Sequence, residues 1–359
     1  MTNDFPLLEI RNLRTWYPVR RGVFARIVDY TRAVDGVDLT ILPGETLGVV
    51  GESGCGKSTL ARTILRLERP QSGEILLDGQ DVLHLEGAAL QAYRRTVQVV
   101  FQDPLASLNP RHTVMDLVTE GLLVQGLIRP SEQRTTAARL LDDVGLGPEA
   151  LDRYPHAFSG GQRQRICIAR ALALGPKLLI CDEAVSALDL SVRAQVLNLL
   201  ADLRNRHQLS YLFITHDIGV VQHLADRIAV MYLGKIVELG PAEAVLTAPA
   251  HPYTRLLLAS VPRIGRRLSA ECGIRSAECG DRKAEVRGQR SEARGRKSKG
   301  SNPEPGSCTP RSALRTPRSS CPFAPRCPLA FERCRVEAPE LLPIGDGKVV
   351  RQAACFRAK

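Results

Sequence analysis

The stretch Gly51-Glu52-Ser53-Gly54-Cys55-Gly56-Lys57-Ser58-Thr59 reads G-x-x-x-x-G-K-S/T, a phosphate-binding loop. Its flanks suit that reading. Thr46-Leu47-Gly48-Val49-Val50 ahead of it predicts a buried strand, and residues 60–67 behind it predict a helix. Glycines let the backbone fold tightly and turn successive N–H groups onto an anion. The helix N-terminus adds partial positive charge. In this pattern Lys57 reaches the β- and γ-phosphates of a nucleotide, and the Ser58 hydroxyl ligates Mg²⁺.

The 359 residues suffice for two or three structural units. No apolar run reaches the roughly 18–20 residues that cross a bilayer. Met1-Thr2-Asn3-Asp4-Phe5-Pro6 lacks the basic start and apolar middle of a signal peptide, so the chain is expected in the cytosol, with any spans supplied by a partner. The net charge of +11 is local: residues 262–320 hold 15 Lys/Arg against 6 Asp/Glu, leaving +2 for the rest. A near-neutral body argues against nucleic acid as a partner. The same segment has no Phe, Trp or Tyr and repeats Ser-Ala-Glu-Cys-Gly at 269–273 and 276–280, which predicts a disordered linker over 263–320. It reads as a solvated tether; the alternative is an anionic-lipid or RNA contact.

Residues 1 to about 85 look β-rich, with strands at 8–13, 33–41 and 72–79. About 86–170 looks mainly helical. Beyond it, 177–181, 209–215 and 227–232 read as strands and 188–205 and 219–226 as helices. That alternation predicts a parallel sheet with crossover helices, an α/β fold. The first of these strands runs into Asp182-Glu183. A buried strand delivering paired carboxylates at its C-terminal end places them where ligands bind in open α/β sheets. Asp182 would hold the Mg²⁺ shell, and Glu183 would orient or deprotonate an attacking water.

Phe158-Ser159-Gly160-Gly161-Gln162-Arg163-Gln164-Arg165 leads into a predicted helix at 166–173. Here the chain resembles the ATP-binding-cassette (ABC) ATPases. Ser159-Gly160-Gly161-Gln162 matches their signature, with Phe158 where Leu is common. The resemblance implies a P-loop NTPase fold: a RecA-like parallel-sheet core, an N-terminal antiparallel β subdomain and a helical subdomain over about 86–170. It also implies roles. Gln102 corresponds to the Q-loop glutamine that senses Mg²⁺, Ser186-Ala187-Leu188-Asp189 to the D-loop, His216 to the switch histidine at the γ-phosphate, and Tyr17 to the aromatic on adenine, with Trp16 as a neighbouring competitor. Ala184 stands where many members carry Pro. Cys55 fills a free loop position, either as a thiol activated by the helix N-terminus or as a passive filler.

In that family each ATP is sandwiched between the phosphate loop of one subunit and the signature of another. The resemblance therefore implies a second ATPase subunit, identical or homologous, two transmembrane permeases, and indirectly a solute-binding protein. It places the chain at the cytoplasmic face of a bacterial membrane.

Ser107-Leu108-Asn109-Pro110-Arg111, His251-Pro252-Tyr253-Thr254 and the N-terminal 17–37 are similar to the oligopeptide/dipeptide importer ATPases, most of all the dipeptide F-type subunit. The likeness covers 1–262 and resumes over a Cys-containing extension, 321–359. It implies an importer ATPase for peptides; other readings are nickel-chelate or sugar import, or an ABC ATPase outside transport. Cys321, Cys327, Cys334 and Cys355 follow C-x5-C-x6-C-x20-C. Four clustered thiols suit an iron–sulfur cluster or Zn²⁺, or hold no metal; the resemblance favours a structural 4Fe–4S cluster.

Overall fold

A computed structural model describes residues 5–22, 24–260, 320–344 and 351–358; the expected linker at 263–320 falls outside the described residues except for Ser320. The first half runs β1 (Leu8–Arg21), β2 (Arg26–Ile41), β3 (Thr46–Val50), α1 (Lys57–Ile64), β4 (Ser72–Leu77), β5 (Gln80–Asp81), α2 (Gly87–Thr96), β6 (Val97–Val100), α3 (Pro104–Ser107), α4 (Val114–Val124) and α5 (Gln133–Asp143). The second runs α6 (Gly160–Leu172), β7 (Leu178–Asp182), α7 (Leu190–His207), β8 (Ser210–Thr215), α8 (Ile218–Leu224), β9 (Arg227–Tyr232), β10 (Lys235–Pro241), α9 (Ala242–Thr247), α10 (Pro252–Ala259), α11 (Glu332–Val336), β11 (Leu342–Ile344) and β12 (Arg351–Ala353).

Two sheets result. The antiparallel one has order β2-β1-β4-β5, and the larger one β11-β12-β10-β9-β3-β8-β7-β6. β6, β7, β8, β3 and β9 pair in parallel, with β10, β12 and β11 antiparallel beyond. Every residue of β3, β7 and β8 is buried, as central parallel strands covered on both faces require. One core, with Leu8, Ile10, Leu60, Ile64 and Ile180, fills the space between the two sheets around α1. A second, with Leu117, Leu141, Phe158, Ile166 and Phe213, joins the helical region to the other face. A third groups Val230, Tyr232, Tyr253, Cys321 and Phe323.

The structure moves some expected boundaries. The helix after the phosphate loop spans Lys57–Ile64 rather than 60–67, because Arg66 takes a left-handed φ of 56° and turns the chain. The helical stretch 86–170 contains a strand of the main sheet, β6; its four residues are too few to show a period-2 pattern. The C-terminal region, expected only as a small ordered unit, belongs to the same compact unit as the cassette and adds β11 and β12 to its sheet.

Candidate nucleotide site

The phosphate loop is shaped by what crowds it. A Cβ on Gly51 would lie 2.2 Å from the Met231 carbonyl oxygen, and one on Gly56 would lie 1.8 Å from that of Ala33, where φ is +112°. No other residue fits either position. Gly56 caps α1 with no side-chain hydrogen bond, leaving the first amides of the helix for an anion. Lys57 is buried and arches back, its Nζ donating to the carbonyls of Gly51 and Glu52 at 2.9 Å each. Ser53 and Gly54 are exposed, and Thr59 is half-buried beside Ser58 at the start of α1. Cys55 is 4 % exposed. Burial pushes its thiol pKa up, with Lys57 pulling the other way. Of the two readings of Cys55, desolvation of the thiolate favours the passive filler over the activated thiol.

β7 carries the acids to this loop. Ser58 Oγ donates to Asp182 Oδ1 at 3.0 Å. Burial, then the charge of Glu183, raises the Asp182 carboxyl, opposed by the Ser58 bond. A buried carboxylate with one hydroxyl donor is stabilised by a cation, and this oxygen pair fits Mg²⁺. At Glu183 the backbone turns left-handed, φ 49°, with its N–H donating to Ile214 O at 2.9 Å. The turn separates the paired carboxylates: Asp182 meets Ser58, while Glu183 Oε1 lies 3.1 Å from His216 Nδ1 at the end of β8. Strain of this kind at a strand end is held in place by the surrounding structure. Ala184 is buried in the following turn, closed by Ser186 N–H to Glu183 O at 3.0 Å.

The remaining expected residues are less gathered. Gln102 is exposed just past β6, and among the described residues its side chain makes no hydrogen bond. Tyr17 is half-buried on β1. Its competitor Trp16 lies under the Arg32 guanidinium, 4.6 Å from the ring centroid, in a cleft shared with Phe323 and Glu340. Strand alternation sends Tyr17 to the opposite face. Ser159 caps α6 in a reciprocal box: its Oγ accepts from Gln162 N–H at 3.3 Å, and its own N–H donates to Gln162 Oε1 at 3.0 Å. Gly161 is buried because Val192 leaves no room for a Cβ, which would come within 2.3 Å. Ser159, Gly160 and Gln162 are exposed, and no described hydrogen bond joins them to the phosphate loop.

Two residues given no site role by the sequence reach the loop from the C-terminal side, and a third supports them. The Glu52 N–H donates to Tyr253 Oη at 2.9 Å. The Glu52 carboxylate takes both Nη1 and Nη2 of Arg326 at 3.0 Å. Tyr232 lies beneath that guanidinium, 5.9 Å from ring centroid to Cζ. His251 is buried, which pushes its pKa down to about 4. It is thus neutral, with Nδ1 accepting from Tyr253 N–H at 3.1 Å. Buried Glu238 on β10 accepts from the Ala250 and His251 amides and from Arg351 of β12. The only hint in sequence was the unexplained His-Pro-Tyr-Thr stretch; Arg326 lies 274 residues from Glu52 and carries no signal at all.

Cys321, Cys327, Cys334 and Cys355 are free thiols that line one small apolar cavity of about 20 Å³. Burial raises the pKa of Cys321 and of Cys327, with neighbouring thiols adding to it. Among the described residues no group of three or more His, Cys, Asp or Glu is placed to hold a metal ion. The donor set suits soft-metal chemistry, but the thiols are not gathered as ligands of a single ion.

The ABC transporter family matches residues 34–186, and the family described as oligopeptide/dipeptide transporter, C-terminal region, matches 237–283 and 290–334. The chain carries an ABC transporter ATP-binding domain. Its cassette is 55 % identical over 257 residues to the glutathione import ATP-binding protein GsiA of Escherichia coli (strain K12), and 52 % over 257 residues to that of Pectobacterium atrosepticum; each match takes 72 % of this chain and 41 % of the relative. The chain thus spans about two fifths of the length of those relatives. Among solved structures it is similar to the dimeric, post-hydrolysis ATP-binding cassette MJ0796 bound to ADP and Pi (TM-score 0.58, 29 % identity, 66 % of this chain and 98 % of that one). It is also similar to cbiO1 from Clostridium perfringens, part of the ABC transporter complex cbiONQ (TM-score 0.59, 28 % identity, 68 % and 91 %). No helix among the described residues is long and apolar enough to cross a membrane.

Proposed function

We propose that this chain hydrolyses ATP to power peptide import, as the peripheral ATPase subunit on the cytoplasmic face of two permeases fed by a solute-binding protein. One observation carries the reading: at the C-terminal edge of a parallel sheet a glycine-shaped loop holds Lys57 and Ser58, Ser58 bonds Asp182, and the adjoining Glu183 pairs with His216. Lys57 would exchange its two carbonyl partners for the β- and γ-phosphates. Ser58, Asp182 and Gln102 would hold Mg²⁺, which offsets phosphate charge when bound. Glu183, oriented by His216, would take a proton from the attacking water. Tyr17 would stack on adenine. Ser159, Gly160, Gly161 and Gln162 of a second ATPase subunit would close the pocket. The oligopeptide-type C-terminal match and the glutathione importer likeness support a peptide-class cargo.

Glu183→Gln should keep ATP binding while phosphate release falls by about 10²–10⁴-fold. Near-normal turnover would overturn the assignment. The four cysteines are proposed to take a 4Fe–4S cluster, supported by four free thiols around one apolar cavity. Anaerobically purified protein should then be brown, absorb near about 400 nm and contain iron and labile sulfide; colourless, iron-free protein would exclude the cluster.

A further inference from the structure

Glu52 is the second residue of the phosphate loop, and its polar groups reach three separate parts of the chain. Its carbonyl accepts from Lys57 Nζ at 2.9 Å, so it holds the lysine that must turn to the phosphates. Its N–H is bound by the hydroxyl of Tyr253, a fully buried residue of α10. Its carboxylate receives a bidentate guanidinium from Arg326, which stands immediately before Cys327. Bidentate pairs add geometric constraint as well as energy.

The far side of this clasp is rigid. Tyr253 lies 4.5 Å from Tyr232 and 5.5 Å from Phe323 between ring centroids, and Tyr232 lies 5.4 Å from Phe323. Such tilted and edge-on contacts pack a shared aromatic core. Arg326 rests on Tyr232, and Phe323 belongs to the same short turn, in which Arg326 N–H donates to Phe323 O at 3.0 Å. The guanidinium is thereby held where it meets Glu52, and the loop is anchored to the C-terminal region rather than to the cassette alone.

We propose that Arg326 is a positioning residue of the nucleotide site: acting through Glu52, it sets the conformation of the phosphate loop and so its affinity for a nucleoside triphosphate. The pair rests on the ATP-binding reading above and touches neither Asp182 nor Glu183, so it bears on binding and not on water attack. Both side chains are nearly half exposed, which limits the effect.

The test measures equilibrium binding of a fluorescent ATP analogue with Mg²⁺ by the full chain. Arg326→Ala and Glu52→Gln should each weaken binding about three- to fivefold, and the double variant no further than either alone. Arg326→Lys should recover part of the loss. In turnover, KM should move while kcat holds. Arg333→Ala removes a guanidinium of the same region that pairs with Glu337 instead, and should leave binding unchanged. An unchanged Kd for Arg326→Ala, additive losses in the double variant, or an equal loss in Arg333→Ala would each overturn the proposal. A wild-type chain that binds no ATP would sink the underlying reading instead, so the two failures are told apart.

Discussion

The phosphate loop and the Ser159–Gln162 turn, the two proposed pieces of nucleotide-binding surface, are built in opposite ways. The loop is tied down: Lys57 is buried, Ser58 is bonded to Asp182, and Glu52 is fastened to Tyr253 and Arg326. The turn is a helix start with its own hydroxyl spent on its own cap, exposed at three of four positions. A loop held in shape by its own chain can meet a ligand preformed. An exposed, pre-capped helix start is finished only when a second surface lands on it. The contrast supports a pocket completed between subunits.

The strongest way to break this contrast is to damage each piece separately and mix the products. Ser159→Arg should bind nucleotide normally as a single chain yet lose about 10²-fold in turnover, because a bulky cation replaces the turn's hydroxyl. Combined with Glu183→Gln, which is damaged in the other piece, it should regain roughly a quarter of wild-type activity, since mixed dimers keep one intact pocket. Mixtures that stay inactive would place the whole site on one chain.

A smaller effect sharpens the tied-down side. Cys55 should react with iodoacetamide at least about tenfold more slowly in the folded protein than in the unfolded chain at pH 8, because burial disfavours the thiolate. Rapid labelling, followed by mass spectrometry of the loop peptide, would show the loop to be open.

What the sequence made legible follows the same division. The strand–loop–helix of 46–64 and the acids after β7 are contiguous patterns, and contiguous patterns report on local backbone and burial. Glu183 could be named from its neighbour Asp182, but not the left-handed turn that sends the two carboxylates to different partners. β6 hid inside a helical stretch because four residues carry no period. Arg326 and Tyr253 were illegible because their meaning lies in packing: a guanidinium 274 residues from its carboxylate, and a phenol aimed at a backbone amide. For Cys55 the sequence leaves an activated thiol and a passive filler both open; its burial favours the filler.

The antiparallel cover of β10 by β12 has a further consequence for synthesis. Among the described residues, buried Glu238 meets a guanidinium only in Arg351, 113 residues downstream. While a ribosome makes that interval, the nascent cassette carries an open strand edge and an acid without its cation. β12, made long after β10, therefore closes a seam begun much earlier, and a message truncated ahead of codon 351 would yield a cassette whose β10 edge stays available for association with other chains.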